Sequence, residues 1–238
     1  MKILISDIDC TMNRNENVEL FSAINNFVKK GNMFIIATDK AINYVADVLS
    51  LSDLNVEYYL CNDGAVIFDR YFNILYRKDL NETVVRPIVH ILEDDDNILE
   101  TFIDTSHGFV KEYRGTANGI VSRPLDKIQA EITLNNICMK YPEVNGYVND
   151  NWLNIYDKSV NKYNSLKYLI NNYRLSDYEV YSLCSSIGDL ELIKNTNGYV
   201  LENSCEDLKI YSKGEFKNLK EFVEFLDKDE EETIYLDI

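Results

Sequence analysis

The sequence predicts an α/β protein: a doubly wound, Rossmann-like parallel-sheet core with an α+β segment inserted into it. Three observations predict it. Two short apolar runs, Ile3 to Ile5 and Phe34 to Ile36, read as strands covered on both faces. Each is followed by a stretch of helical periodicity, and strand, helix, strand, helix in sequence implies parallel pairing. Both runs then end on polar groups, Asp7 and Asp9 after the first and Thr38 after the second, at the carboxyl edge where an open sheet of this kind gathers its ligands.

The elements follow in order. In "MKILISDIDCTM" the apolar run is the first strand, and Asp7 and Asp9 at i and i+2 point the same way if the segment stays extended. Two adjacent carboxylates repel unless a cation or a proton offsets them, so the pair is a candidate ion or catalytic site; an aspartate-rich turn is the alternative. "NVELFSAINNFVKKGN" sets Val18, Phe21, Ile24, Asn25 and Val28 at helical spacing, with Lys29 and Lys30 in the last turn and Gly31 as the stop. After the strand "MFIIATDK" comes "AINYVADVL", with Ile42, Val45 and Leu49 on one helical face. "VEYYLCNDGAVIFDRYFNILYR" reads as a strand, a turn at Asp63 and Gly64, and a hairpin.

Between about residues 77 and 158 the pattern changes. "TVVRPIVHILEDD" predicts a helix with Pro87 early in it, and "DKIQAEITLNNICMKYP" predicts a second with Ile128, Ile132 and Cys138 partly inward. "LETFIDTS", "FVKEYR", "VNGYVND" and "WLNIYD" read as strands, which makes this segment an α+β layer. The expected division is therefore a core of residues 1–76 and 159–238 with residues 77–158 inserted. Both histidines, His90 and His107, fall in the insertion without metal-ligand spacing, and His90 reads as a surface residue.

Composition narrows the function. At 238 residues and 46% hydrophobic content the chain can bury a substantial core. A formal net charge of -16 argues against nucleic acid and anionic membrane as partners, since both are bound through clustered Lys and Arg, and it suits a divalent cation better. The acidic runs "EDDD" and "DKDEEE" carry much of this charge and read as solvated surface. Five scattered cysteines without CxxC spacing predict free thiols rather than disulfides or a zinc site. No run is long enough for a membrane span, and the first apolar stretch is too short and too soon acidic for a signal peptide, so a cytoplasmic location is expected. Neither GxxxxGK[ST] nor GxGxxG occurs, which removes the phosphate-loop and dinucleotide-loop readings. The oligomeric state is not encoded in any of these features.

Four stretches together resemble the haloacid dehalogenase-like phosphatase superfamily, specifically its Cof-type branch with an inserted C2-type cap. "DIDCT" looks like the first motif, DxDxT; "FIIATDK" looks like the second; "CNDGAVIFD" is similar to the "NGA" hairpin; and "VNKYNSLKYL" is similar to the third motif and its lysine. The resemblance implies phosphomonoester hydrolysis, with Asp7 as nucleophile, Asp9 as acid and base, Thr38 bonding the phosphoryl group and Lys162 beside both. It makes Asp39, Lys40, Asn62 and Asp63 the substrate-binding candidates. Magnesium is the implied cofactor, held by Asp7, the Asp9 carbonyl and the fourth motif, and the implied partner is a small phosphorylated metabolite, a sugar phosphate first among them.

The sequence departs from the family at three places. Cys10 stands where Gly is usual, and Asp39 with Lys40 where Gly and Arg are usual. The fourth motif, usually GDxxND, fits "VYSLCSSIGDLELIKNTNGYVLENS" in two registers. The preferred one places Cys184 and Ser185 at GD, Gly188 at Asn and Asp189 at the last Asp; the other places Gly188 and Asp189 at GD itself. A hydroxyl is a weaker ligand for a hard cation than a carboxylate, so Ser185 in that position weakens the site. A catalytically impaired relative that binds a phosphorylated ligand or a protein partner is therefore the second expectation.

Overall fold

The computed structural model describes residues 1–8, 17–50, 52–149 and 152–234. Asp9, Cys10 and Thr11, which the sequence singles out, lie outside them. The expected α/β core is present. Strand β1 (Lys2–Ser6) leads through helix α1 (Asn17–Lys29) to β2 (Met33–Ala37), and then through α2 (Ile42–Leu49) to β3 (Tyr58–Cys61). A one-turn 3-10 segment, Asn62–Gly64, opens the hairpin β4 (Val66–Asp69) and β5 (Ile74–Arg77). Helices α3 (Glu82–Glu93) and α4 (Lys127–Lys140) and strands β6 (Ile98–Thr105), β7 (Gly108–Val110), β8 (Gly119–Pro124), β9 (Val144–Val148) and β10 (Leu153–Asp157) follow. The chain then returns through α5 (Lys162–Asn172), β11 (Glu179–Cys184), a second 3-10 segment Ile187–Asp189, α6 (Leu190–Asn195), β12 (Asn197–Leu201), α7 (Glu206–Lys209), β13 (Glu215–Phe216) and α8 (Leu219–Ile234).

Eight strands form one sheet in the order β13-β12-β11-β1-β2-β3-β4-β5. It is parallel from β13 to β3 and antiparallel through the hairpin at the other edge. Alternation along β1 explains the two covered faces. Leu4 packs with Ile24, Phe27, Phe222 and Leu226 under α1 and α8, while Ile3 and Ile5 pack with Leu166, Leu169, Leu192 and Ile193 under α5 and α6. Helix α1 turns Leu20, Ile24 and Phe27 inward and leaves Val18 85% exposed, so Val18 is outside the face assigned to it. Gly31 does stop the helix, at φ +92°, in the left-handed region that a side chain disfavours.

The other five strands form a separate antiparallel sheet, β7-β6-β8-β10-β9, inserted between β5 and α5. Its own core joins Ile103, Ile120, Leu153 and Ile155 to Val85, Ile88 and Leu92 of α3 and Leu134 and Ile137 of α4. Two expectations change here. Helix α4 buries Ala130, Thr133, Leu134 and Ile137, whereas Ile128 and Ile132 are 70% and 46% exposed, because the inward stripe runs along the neighbouring face. Pro87 lies in the second turn of α3 rather than at its start, where its missing N–H leaves one helix bond unmade. Strand β8, the middle of this sheet, carries no strong strand signal of its own. His90 is exposed and faces Asp94 one turn on, at 3.3 Å, and His107 is exposed in the β6–β7 turn. Cys61, Cys138 and Cys205 are free thiols. Among the described residues no helix is long and apolar enough to cross a membrane.

Candidate active site

Parallel pairing brings the candidate residues together. Ser6 at the end of β1 is level with Leu183 in β11 and Ile36 in β2, so the residues that follow, Asp7, Ser185 and Thr38, leave the sheet at the same edge. Asp7 is 4% exposed and Thr38 fully buried. Lys162 is the first residue of α5, whose start is fixed by the Asn161 side chain accepting from Asn164 N–H. The turn at Gly64 lets that start come close: at φ +93° a Cβ would lie 2.6 Å from both Asn161 O and Ser165 Oγ.

Lys162 is the centre of the site. Its Nζ donates to Asp7 Oδ2 at 3.1 Å and to Asp189 Oδ1 at 2.5 Å, and its side chain is 1% exposed. Burial alone would lower its pKa, but Asp189 and Asp7 overcome that and hold the ammonium well above the ordinary lysine value. Asp189 is itself spent on this task. Its second oxygen accepts from the Ser186 N–H at 3.2 Å, in a capping box at the 3-10 segment. Both Asp189 oxygens thus accept hydrogen bonds within the protein, one of them from Lys162. Ser185 differs: its Oγ is buried and has no hydrogen-bond partner.

The loop after β2 meets the loop after β3. Thr38 Oγ1 accepts from the Lys40 N–H at 3.1 Å and lies 3.4 Å from Asp39 Oδ1, while Lys40 Nζ pairs with Asp39 at 2.8 Å. Asn62 and Asp63 both take left-handed backbone, φ +51° and +54°, and their N–H groups donate to Lys40 O and Thr38 O. Two consecutive non-glycine residues there are strained, and strain of this kind persists only where surrounding bonds enforce it. All four substrate-binding candidates, Asp39, Lys40, Asn62 and Asp63, therefore share one loop cluster beside Thr38.

Residues from the inserted sheet also reach these loops, and no motif in the sequence points to them. Tyr147 of β9 donates its hydroxyl to Asp63 Oδ2 at 2.8 Å, and its ring fills the space over Gly188, where a Cβ would be 3.0 Å from Tyr147 Cζ and Oη. Asn62 Nδ2 donates to Asp104 Oδ1 of β6 at 2.8 Å. Strand register puts Asp104, Tyr147 and Tyr156 on the sheet face opposite its apolar core, turned toward the catalytic end. Burial pushes the Asp63 carboxyl up to about 7, and the Asp104 carboxyl up to about 8. Burial likewise raises the Tyr147 hydroxyl well above its usual value, so it is neutral and a donor.

A polar cluster thus lies at the carboxyl edge of a doubly wound sheet, beside an inserted α+β layer. The family model for haloacid dehalogenase-like hydrolases matches residues 4–118 and 123–221, and the chain belongs to that family. Solved structures share the fold across nearly the whole chain. A phosphatase of the haloalkanoate enzyme superfamily from Bacteroides thetaiotaomicron superposes with a TM-score of 0.79 at 12% identity, covering 96% of this chain and 94% of that one. A subclass IIB sugar phosphatase, BT4131, gives 0.78 at 14% identity over 95% and 99%. A haloacid dehalogenase-like hydrolase from B. subtilis gives 0.78 at 14% over 90% and 94%. No curated protein matches the chain in sequence.

Proposed function

We propose that the protein is a phosphomonoester hydrolase that acts on a small phosphorylated metabolite, a sugar phosphate first among candidates, through an aspartyl-phosphate intermediate. The observation that carries this reading is the buried bridge from Lys162 to Asp7 and Asp189 at the sheet's carboxyl edge. An ammonium that stays charged at any working pH fixes the Asp7 carboxylate and lies where charge builds on a transferring phosphoryl group. Asp7 attacks phosphorus, the ester oxygen leaves with a proton from Asp9, and Asp9 then activates the water that hydrolyses the intermediate. Thr38 and the loop of Asp39, Lys40, Asn62 and Asp63 bind the ester. Among known relatives of this fold, BT4131 is described as a sugar phosphatase, which supports that substrate class here.

Magnesium fits the residues present. The buried, unpartnered Ser185 hydroxyl follows β11 next to Asp7, and magnesium is commonly bound through one or two carboxylates with water and substrate phosphate for the rest. Asp7 and Ser185 would hold it, with the Asp9 carbonyl. When bound it would neutralise phosphate charge. The inserted layer would act as the cap that excludes water, since Tyr147 and Asp104 already reach into the core loops.

One observation favours a second reading, a phosphate-ester binder with impaired turnover. Ser185, whose hydroxyl is buried and unpartnered, stands in the preferred register where the resemblance implies a carboxylate ligand. Hydrolysis of a sugar-phosphate panel with and without magnesium separates the two. Magnesium-dependent release of phosphate supports the enzyme; saturable ester binding without release supports the binder.

A further inference from the structure

Asn62 and Asp104 meet across the boundary between the core and the inserted sheet, and their hydrogen bonds do not add up if Asp104 is ionised. Asn62 Nδ2 donates to Asp104 Oδ1 at 2.8 Å and to Thr105 O at 3.0 Å. A backbone carbonyl only accepts, so the second bond fixes which amide atom is the nitrogen. The other two atoms, Asn62 Oδ1 and Asp104 Oδ2, are buried and have no partner. Both residues are fully inaccessible to solvent. An ionised Asp104 would leave two orphaned acceptors in one dry contact, each costly.

A single proton resolves both. Placed on Asp104 Oδ2 and donated to Asn62 Oδ1, it closes a two-bond ring between acid and amide. We propose that Asp104 is a positioning residue that docks the inserted layer on the core as a neutral carboxylic acid, so that seating the layer over Asp7 takes up a proton. The surroundings agree. From the core, Asp39, Asp63, Cys61 and Lys40 face Asp104, and from the inserted sheet Tyr156 does; the cation among these, Lys40, is paired with Asp39. Burial, then Asp63 and Asp39, push the Asp104 carboxyl up to about 8 against the lowering by Asn62 and Lys40.

The sign of the linkage follows. Undocked, Asp104 is solvated and ionises as an ordinary carboxylate; docked, it holds its proton to about pH 8. The docked-to-undocked ratio therefore falls about tenfold for each pH unit between those values and is level above them. Asp63, raised by burial to about 7, adds a second proton whose share fades above that pH. Between about pH 7 and pH 8 Asp104 contributes about fivefold and Asp63 about twofold.

Hydrogen exchange of the Ile42 amide, which donates across the boundary to Ser106 O at 3.4 Å, measured in the full chain and corrected for the intrinsic pH dependence, tests this without reference to turnover. Wild-type protection should fall about tenfold from pH 7 to pH 8. Asp104→Asn keeps the ring with an amide N–H in place of the acid O–H, so its protection should fall by no more than about twofold over that interval, whereas Asp104→Ala should be unprotected at both pH values. Parallel loss in Asp104→Asn, or level wild-type protection, overturns the proposal. The infrared band of a protonated buried carboxylic acid gives a reading on the wild type alone: it should be present near pH 7.5 and vanish on titration through about 8, and its absence near pH 7.5 overturns the proposal even if the variants do not fold.

Discussion

Replacing Lys162 by Met removes the central cation while keeping the length of the side chain. The ammonium contacts two carboxylates at 3.1 Å and 2.5 Å, and at an effective dielectric of about 20 each contact is worth about 5–7 kcal/mol of attraction. Desolvation of the three charges offsets most of that, so the net value is small compared with the penalty of leaving two buried carboxylates unpaired, about 3–5 kcal/mol. Denaturant unfolding near pH 7 should show Lys162→Met destabilised by that amount, with hydrolysis reduced at least about 100-fold. The deficit should depend on pH. Uncompensated buried negative charge is costly and protonation removes it, so the deficit should shrink on acidification. The variant should therefore approach wild type in acid and diverge toward neutrality. A loss below about 1 kcal/mol at pH 7, or a deficit that grows on acidification, would refute the view that Lys162 is held by charge rather than by packing of its stem.

Asp7→Asn should fold normally and lose all measurable turnover, because the amide still accepts from Lys162 but lacks the anionic oxygen that attacks phosphorus; Asp9→Asn should lose on the order of 100-fold through its acid and base work. Ser185→Asp should tighten magnesium binding in calorimetry and raise hydrolysis in parallel, and unchanged affinity would remove Ser185 from the metal site. Gly64→Ala should cost more than about 2 kcal/mol in thermal or denaturant unfolding, because it combines positive φ with a 2.6 Å approach to Asn161 O; a neutral effect would show that the turn and the start of α5 can separate freely.

The core was legible because its strands are covered on both faces and end abruptly on chemistry. The runs at Ile3–Ile5 and Phe34–Ile36 are strands as expected, and Asp7, Thr38 and Lys162 gather at one edge because parallel connections always return to that edge. The inserted sheet was harder. Strand β8 has only Ile120 and Val121 as apolar residues between Gly119 and Pro124, so its pattern does not stand out, yet it pairs with both β6 and β10 and sets their facing. Without it the inward turn of Asp104 and Tyr147 cannot be read, since a one-residue change of register would reverse both. Helix α4 misled for a related reason: Ile128 and Ile132 form a plausible stripe, but the buried face instead includes Thr133, whose hydroxyl donates to Asp95 at 2.6 Å. A polar residue satisfied inside and isoleucines left outside reverse what hydrophobicity alone suggests.

The central claim is that Asp7 becomes phosphorylated. Borohydride reduction during steady turnover of a sugar phosphate converts an aspartyl phosphate to homoserine, which peptide mass spectrometry can place. The account predicts homoserine at position 7, dependent on substrate and absent from Asp7→Asn; hydrolysis that proceeds with residue 7 unmodified, or that survives in Asp7→Asn, would contradict it.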